Sequence, residues 1–226
     1  MSLETPDYLD LLETKAKLNE AREREAALRA KENLSHEVLL AFSKAVDAKD
    51  HYTNGHSERV AKYAKEISRR MGKSEREQDE IYELGLLHDV GKIGIPEEII
   101  NKKGKLTAEE FDEIKKHTII GWDILKTITE IPWLSKGAKW HHERYDGNGY
   151  PDGLKGTAIP EEARIICLAD CYDAMTSKRS YSSPRPQKEV RDEIERCMGK
   201  QFDPDIAKHL LNMIDEDTDY DLREKE

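Results

Sequence analysis

From Asp7 to Lys49 the chain carries neither glycine nor proline, and Pro6 is followed by no other proline until Pro96. A stretch of that length dominated by Ala, Glu, Lys, Arg and Leu favours a helix and contains nothing to stop one. It is expected to form a single long helix. One heptad register places Leu11, Leu18, Ala21, Leu28, Leu39 and Phe42 at core positions, and Glu25, Glu32 and Ser35 interrupt it. A weak coiled coil and a solvated connecting helix both fit that pattern.

The helical period continues in shorter pieces. Val60, Tyr63, Ala64 and Ile67 mark a helix from Ser57 to Met71, closed by Gly72. Ile81, Leu84, Gly85 and Leu87 mark another from Glu75 to His88. Thr107 and Glu110 have the spacing of a capping box, opening a helix with Phe111, Ile114 and Trp122 on its inner face. Asn148 to Gly153 reads as a loop, and Pro160 opens a helix that reaches about Thr176. A final helix covers Pro204 to Ile214. No segment alternates as a strand does, so the expected fold is all-α, a helical bundle with a long N-terminal helix. The expected organisation is an N-terminal helix or signalling linker over 1–34, a main domain over 35–214 and an acidic disordered tail over 215–226.

With 37 Lys and Arg against 47 Asp and Glu, the formal net charge is −10. Such a surface repels polyanions and argues against a nucleic acid polymer as partner, while leaving room for a small anion held by local cations. No apolar run approaches the ~18 residues needed to span a bilayer, and no signal-peptide pattern opens the chain. The expectation is a cytoplasmic protein without membrane insertion. Cys167, Cys171 and Cys197 read as core fillers rather than as a disulfide framework.

Polar residues on apolar faces point to the chemistry. His56 shares a stripe with Val60 and Tyr63, His88 with Ile81 and Leu84, His117 with Ile114 and Gly121, and Asp170 follows Ile166 by one helical turn. A single such histidine is ordinarily a hydrogen-bonded core residue. Four together ask for more, because each buried polar group without a partner costs about 1–3 kcal/mol and bound cations would satisfy all of them at once. The pairs His88-Asp89 and His141-His142 add to this. Neighbours on a helix point about 100° apart, so both members reach one site only at a helix end, and Gly91 suits such an end.

His88-Asp89-Val90-Gly91-Lys92 resembles the HD motif of the HD metal-dependent phosphohydrolase superfamily. The run His141-His142-Glu143-Arg144-Tyr145-Asp146-Gly147-Asn148-Gly149-Tyr150-Pro151 is similar to the signature of its HD-GYP subfamily. The likeness continues through Ile93-Gly94-Ile95-Pro96, Ile159-Pro160, Ala163-Arg164-Ile165 and Asp170 to Arg179-Ser180-Tyr181, covering roughly Ser35 to Met213.

The resemblance implies an HD-type helical bundle that hydrolyses cyclic di-GMP to linear pGpG, with pGpG and GMP both open as the final product. It implies His56, His88, Asp89, His117, His141, His142 and Asp170 as metal ligands. Imidazole and carboxylate donors without thiolate suit two divalent transition-metal ions, iron, manganese, zinc or nickel, rather than calcium, and the resemblance favours iron or manganese among these. Asp89 is expected to bridge ions about 3.5–4 Å apart, with a bridging hydroxide attacking phosphorus in line. Asp89 and Lys92 are the expected catalytic residues, and Lys92, Gly149, Tyr150, Pro151 and Arg179 the expected substrate contacts. Two positions depart from the family pattern. Tyr52 stands where some members have a glutamate that holds a third ion, which predicts two ions rather than three. Ser182 replaces a frequent Lys or Arg, and Arg185 is near enough in sequence to compensate. Alternative readings are a catalytically weak signalling or adaptor module, or a hydrolase of another cyclic dinucleotide. The expected partners are the cyclic dinucleotide, a second copy through the N-terminal helix, and a signalling protein at the Gly149–Pro151 loop.

Overall fold

The stretch free of glycine and proline forms one helix, α1 (Tyr8–Asp47). The computed structural model describes residues 8–50, 55–129, 131–177 and 184–218. By its contacts the chain divides into two units, Met1–Leu39 and Leu40–Glu226. In the first unit the heptad positions Leu11, Leu18 and Leu28 are exposed. The helix there rests on propensity and on pairs one turn apart, such as Arg24 with Glu20 at 2.5 Å and Arg29 with Glu25 at 2.6 Å. Each such pair contributes only a few tenths of a kcal/mol, about 0.2–0.5.

The second unit contains α2 (His56–Arg70), α3 (Glu75–Leu87), α4 (Glu97–Ile100), α5 (Ala108–Leu125), α6 (Pro132–Trp140), α7 (Glu161–Thr176), α8 (Gln187–Cys197) and α9 (Pro204–Glu216), with 3₁₀ turns at Val90–Gly94 and Gly156–Ala158. Among the described residues no strand forms, so the all-α expectation holds, and no helix is long and apolar enough to cross a membrane. The centre of the unit is α7. Ile165, Ile166, Leu168, Ala169 and Tyr172 are all buried, so this helix is apolar on nearly every side, as a helix enclosed by others must be. The stripe Val60, Tyr63, Ala64 and Ile67 of α2 is buried as expected, and Ile81, Leu84 and Leu87 of α3 complete the core beside it. Each fully buried Ile or Leu contributes about 1.5–3 kcal/mol.

Helix ends follow their sequence signals. Thr107 and Glu110 form both halves of the expected capping box, Ser74 and Glu77 form a second, and Gly72 takes a φ of 81° just past α2. Sequence reading marked neither α6, which has nine residues with Gly137 inside it, nor α8, whose buried positions are Val190, Ile194 and Cys197 in an otherwise charged segment.

Two expectations need correction. Phe111 does not lie on an inner face; it is 46% exposed in the first turn of α5, with its ring edge-on to Tyr150 at a centroid distance of 6.2 Å. The segment expected as a disordered tail from Asp215 begins as helix, since α9 runs to Glu216. Asp215 pairs with Arg191 at 2.7 Å and Glu216 with Arg70 at 2.7 Å, which fastens that last turn. Residues 219–226 of the tail lie outside the described residues.

Candidate metal centre

Helix ends position most of the expected site. His56 is the first residue of α2, after Gly55 in a left-handed conformation at φ 72°. Gly55 has no side chain to cap that start. Asp47, the last residue of α1, does so instead, accepting from the Ser57 amide at 3.2 Å and the Ser57 hydroxyl at 2.6 Å. His88 closes α3 and Asp89 opens the Val90–Gly94 turn, while His141 closes α6 with His142 directly after it. Both adjacent pairs therefore stand at helix ends, the one arrangement that lets neighbours face a common point. His117 and Asp170 come from within α5 and α7.

The hydrogen bonds of three imidazoles fix their tautomers. Nδ1 of His88 donates to the Gly85 carbonyl at 2.7 Å, Nδ1 of His117 to the Ile114 carbonyl at 2.6 Å, and Nδ1 of His141 to the Ala138 carbonyl at 3.0 Å. Each Nε2 is then left with an unprotonated lone pair. Burial drives the pKa of His117 down and that of His141 far down, the latter helped by the neighbouring imidazoles. Burial and the nearby His117 bring His142 to about 3. Nε2 of His117 and Nε2 of His141 lie 3.3 Å apart, two lone pairs facing each other. Nε2 of His88 and Oδ1 of Asp89 are buried without a hydrogen-bond partner. Orphaned lone pairs of this kind fit cations.

Asp89 divides its two oxygens. Oδ2 lies 3.5 Å from Nε2 of His88 and 3.7 Å from Nε2 of His56. Oδ1 lies 3.4 Å from Nε2 of His117 and 3.7 Å from Nε2 of His141. Ligand atoms gather accordingly in two groups, Asp89 with His117, His141 and His142, and His56 with His88 and Asp170, each within 4.8 Å. Donors about 2.1 Å from one ion at tetrahedral or octahedral angles stand about 3–3.5 Å apart. The observed separations are close to those of donors around a shared cation.

Lys92 places its ammonium 2.8 Å from Oδ2 of Asp89 and 3.3 Å from Oδ2 of Asp50. Burial opposes both charges. Even so, Lys92 and the surrounding histidines hold Asp89 well below the usual carboxylate range, and Asp89 with Asp50 raises Lys92 above the usual lysine value. Lys92, Asp50, Tyr150 and most of the expected ligands line one cavity of about 220 Å³. The turn carrying Asp89 and Lys92 is tied from outside by Lys49, whose ammonium donates to the carbonyls of Lys92 (3.1 Å), Ile93 (2.7 Å) and Ile95 (2.5 Å).

The Gly149–Pro151 loop stands against this cavity. The Tyr150 ring stacks on His142 at 4.8 Å, and the Tyr150 amide donates to the His142 carbonyl at 3.2 Å. Buried Glu143 holds the far side of the loop by accepting from the amides of Asp152 (2.7 Å), Gly153 (2.9 Å) and Leu154 (3.0 Å). Glu143→Ala removes that charged acceptor and is expected to cost about 2–4 kcal/mol of stability, read by denaturant unfolding. A loss under about 0.5 kcal/mol would show that the loop does not depend on it.

All seven expected ligands meet. Arg179, Tyr52 and Ser182 lie outside the described residues. Arg185 does not reach this cavity; it lines another with Met175, Glu193 and Cys197. Sequence reading missed Asp173, Arg59, Asp50, Lys49 and Glu143. The signal for Asp173 was its place three residues after Asp170, on the same face of a helix.

A family model described as HD domain matches residues 41–206. This chain belongs to the HD domain family. Its motifs assign it to the HD-GYP group within that family. The cyclic di-GMP phosphodiesterase of Thermotoga maritima is 42% identical over 198 residues, covering 86% of this chain and 54% of that protein. The 3'3'-cGAMP-specific phosphodiesterase 2 of Vibrio cholerae is 38% identical, covering 80% of this chain and 35% of the relative. The chain thus spans about half or less of the length of these relatives. The crystal structure of a cyclic GMP-AMP specific phosphodiesterase of V. cholerae superposes with a TM-score of 0.62 at 20% identity, over 80% of this chain and 49% of that one. At that identity the likeness concerns the HD fold.

Proposed function

We propose that the chain hydrolyses cyclic di-GMP to linear pGpG at a centre of two divalent transition-metal ions held by His56, His88, Asp89, His117, His141, His142 and Asp170. The observation that carries this reading is the division of Asp89, one oxygen toward each of two groups of imidazoles. The names of the T. maritima and V. cholerae relatives support the substrate class. Nitrogen and carboxylate donors without thiolate suit iron, manganese, zinc or nickel, and the resemblance to the HD-GYP family favours iron or manganese among them. Tyr52 in place of a glutamate favours two ions over three. When bound, the ions lower the pKa of water and offset charge on the phosphoryl oxygens.

The side chains do the rest. Asp89 spans the two groups, and its low pKa keeps it anionic for that role. Lys92 holds its ammonium at the cavity, within reach of a phosphate oxygen. Gly149, Tyr150 and Pro151 form a wall beside His142, with the tyrosine ring offering an aromatic face to a nucleobase. Arg179 is the proposed second phosphate contact, its planar guanidinium suited to that geometry. The exposed Leu11, Leu18 and Leu28 of α1 make a second copy the proposed partner of that helix, and the Gly149–Pro151 loop the proposed contact for a signalling protein.

The test is full-length protein purified without chelator or oxygen, loaded with ferrous or manganous ion, and given cyclic di-GMP, cyclic GMP-AMP and cyclic di-AMP separately. Turnover of cyclic di-GMP that stops on chelation is expected. Preference for cyclic GMP-AMP would replace the substrate, and an ion-replete chain inert to all three would favour the adaptor reading.

A further inference from the structure

We propose that Asp173, held by Arg59 and Ser177, is a positioning residue that acts through His56 and sets the ion affinity of one half of the centre. The inference rests on the two-ion reading above and goes beyond it.

Asp173 is 1% exposed and does not line the cavity. Its Oδ2 accepts from Nδ1 of His56 at 2.7 Å and from Nη2 of Arg59 at 3.3 Å. Its Oδ1 accepts from Nε of Arg59 at 2.6 Å and from the Ser177 hydroxyl at 2.8 Å. Both oxygens are thus engaged on the side of His56 away from the centre, while Nε2 of His56 faces Asp170 at 3.4 Å and Asp89 at 3.7 Å. A buried carboxylate whose contacts run to the back of a ligand and to a guanidinium orients the imidazole ring and pushes electron density toward Nε2.

The arrangement is unequal between the halves. His88, His117 and His141 rest their Nδ1 on neutral backbone carbonyls, whereas His56 rests on an anion. The half built from His56, His88 and Asp170 therefore has a carboxylate ligand and a carboxylate-backed imidazole. The half built from His117, His141 and His142 relies on imidazoles and on its share of Asp89. The two ions are inequivalent, and Asp173 is the residue that makes the first half the tighter one for a hard, highly charged cation.

The test titrates manganous or cobaltous ion into ion-free full-length protein against a chromophoric chelator and follows the cobalt visible spectrum at each step. Wild type is expected to show two steps. Asp173→Asn keeps the side-chain shape and removes the charge. It is expected to weaken one step by about 10–100-fold, with a shifted cobalt spectrum at that step, and to leave the other unchanged. Arg59→Lys leaves Asp173 and His56 in place and is expected to weaken the same step alone; it carries the test if Asp173→Asn does not fold. Equal weakening of both steps would show a general structural role and overturn the proposal, as would two unaltered steps. Wild type taking up fewer than two ions would instead remove the two-ion reading, and this proposal with it.

Discussion

Asp89→Ala is expected to release both ions and to lower cyclic di-GMP turnover by about a thousandfold or more. The magnitude follows from what the carboxylate spans. Oδ2 faces His56 and His88, and Oδ1 faces His117 and His141, so truncation withdraws a donor from each group at once. It also strips Lys92 of its nearer counter-ion at 2.8 Å, leaving Asp50 at 3.3 Å. Metal assistance to phosphoryl transfer is worth several kcal/mol, and each factor of ten in rate is about 1.4 kcal/mol, which gives the stated loss. Elemental analysis and a turnover assay on the same preparation check it. Two ions per chain with near-normal turnover would refute the bridging role.

Gly91→Ala is expected to cost about 3 kcal/mol or more of stability, at the upper end of overpacking effects. A Cβ at this position would run into the carbonyl oxygen of His117 and the amide of Gly121. Both are backbone atoms inside α5, so no rotamer change can make room. Either the Val90–Gly94 turn or α5 must move, and these elements bring Asp89 to His117. For a chain of this size the midpoint of thermal unfolding should fall by about 6–12 °C. The ion step that depends on His117 should weaken more than the other. A midpoint within about 2 °C of wild type would mean that the two backbones are not in contact at Gly91.

Much of the centre was legible because its ligands break a rule. His56, His117 and Asp170 stand where an apolar residue belongs, and the adjacent pairs at 88–89 and 141–142 make sense only at helix ends. The HD-GYP motifs supplied the ligand set and the loop. What stayed hidden are the supports, which look ordinary in sequence. Asp173 is one more acid in a helix, and its partner His56 is 117 residues away in the chain. Asp47 and Lys49 are two more charged residues at the end of a long helix, and Glu143, though inside the HD-GYP run, carries no mark of its three amide partners. Phe111 was misplaced for the opposite reason, since an apolar residue in the first turn of a helix carries no mark of whether that turn reaches the core.

The last turn of α1 and the residues after it hold two parts of the centre. Through Ser57, Asp47 fixes where α2 begins and so where His56 sits; through three carbonyls, Lys49 pins the turn that carries Asp89. Two fastenings only two residues apart thus hold the elements that carry His56 and Asp89, both of which line one cavity. Neither Asp47 nor Lys49 lines that cavity, so its ligand geometry is set in part by side chains that lie outside it.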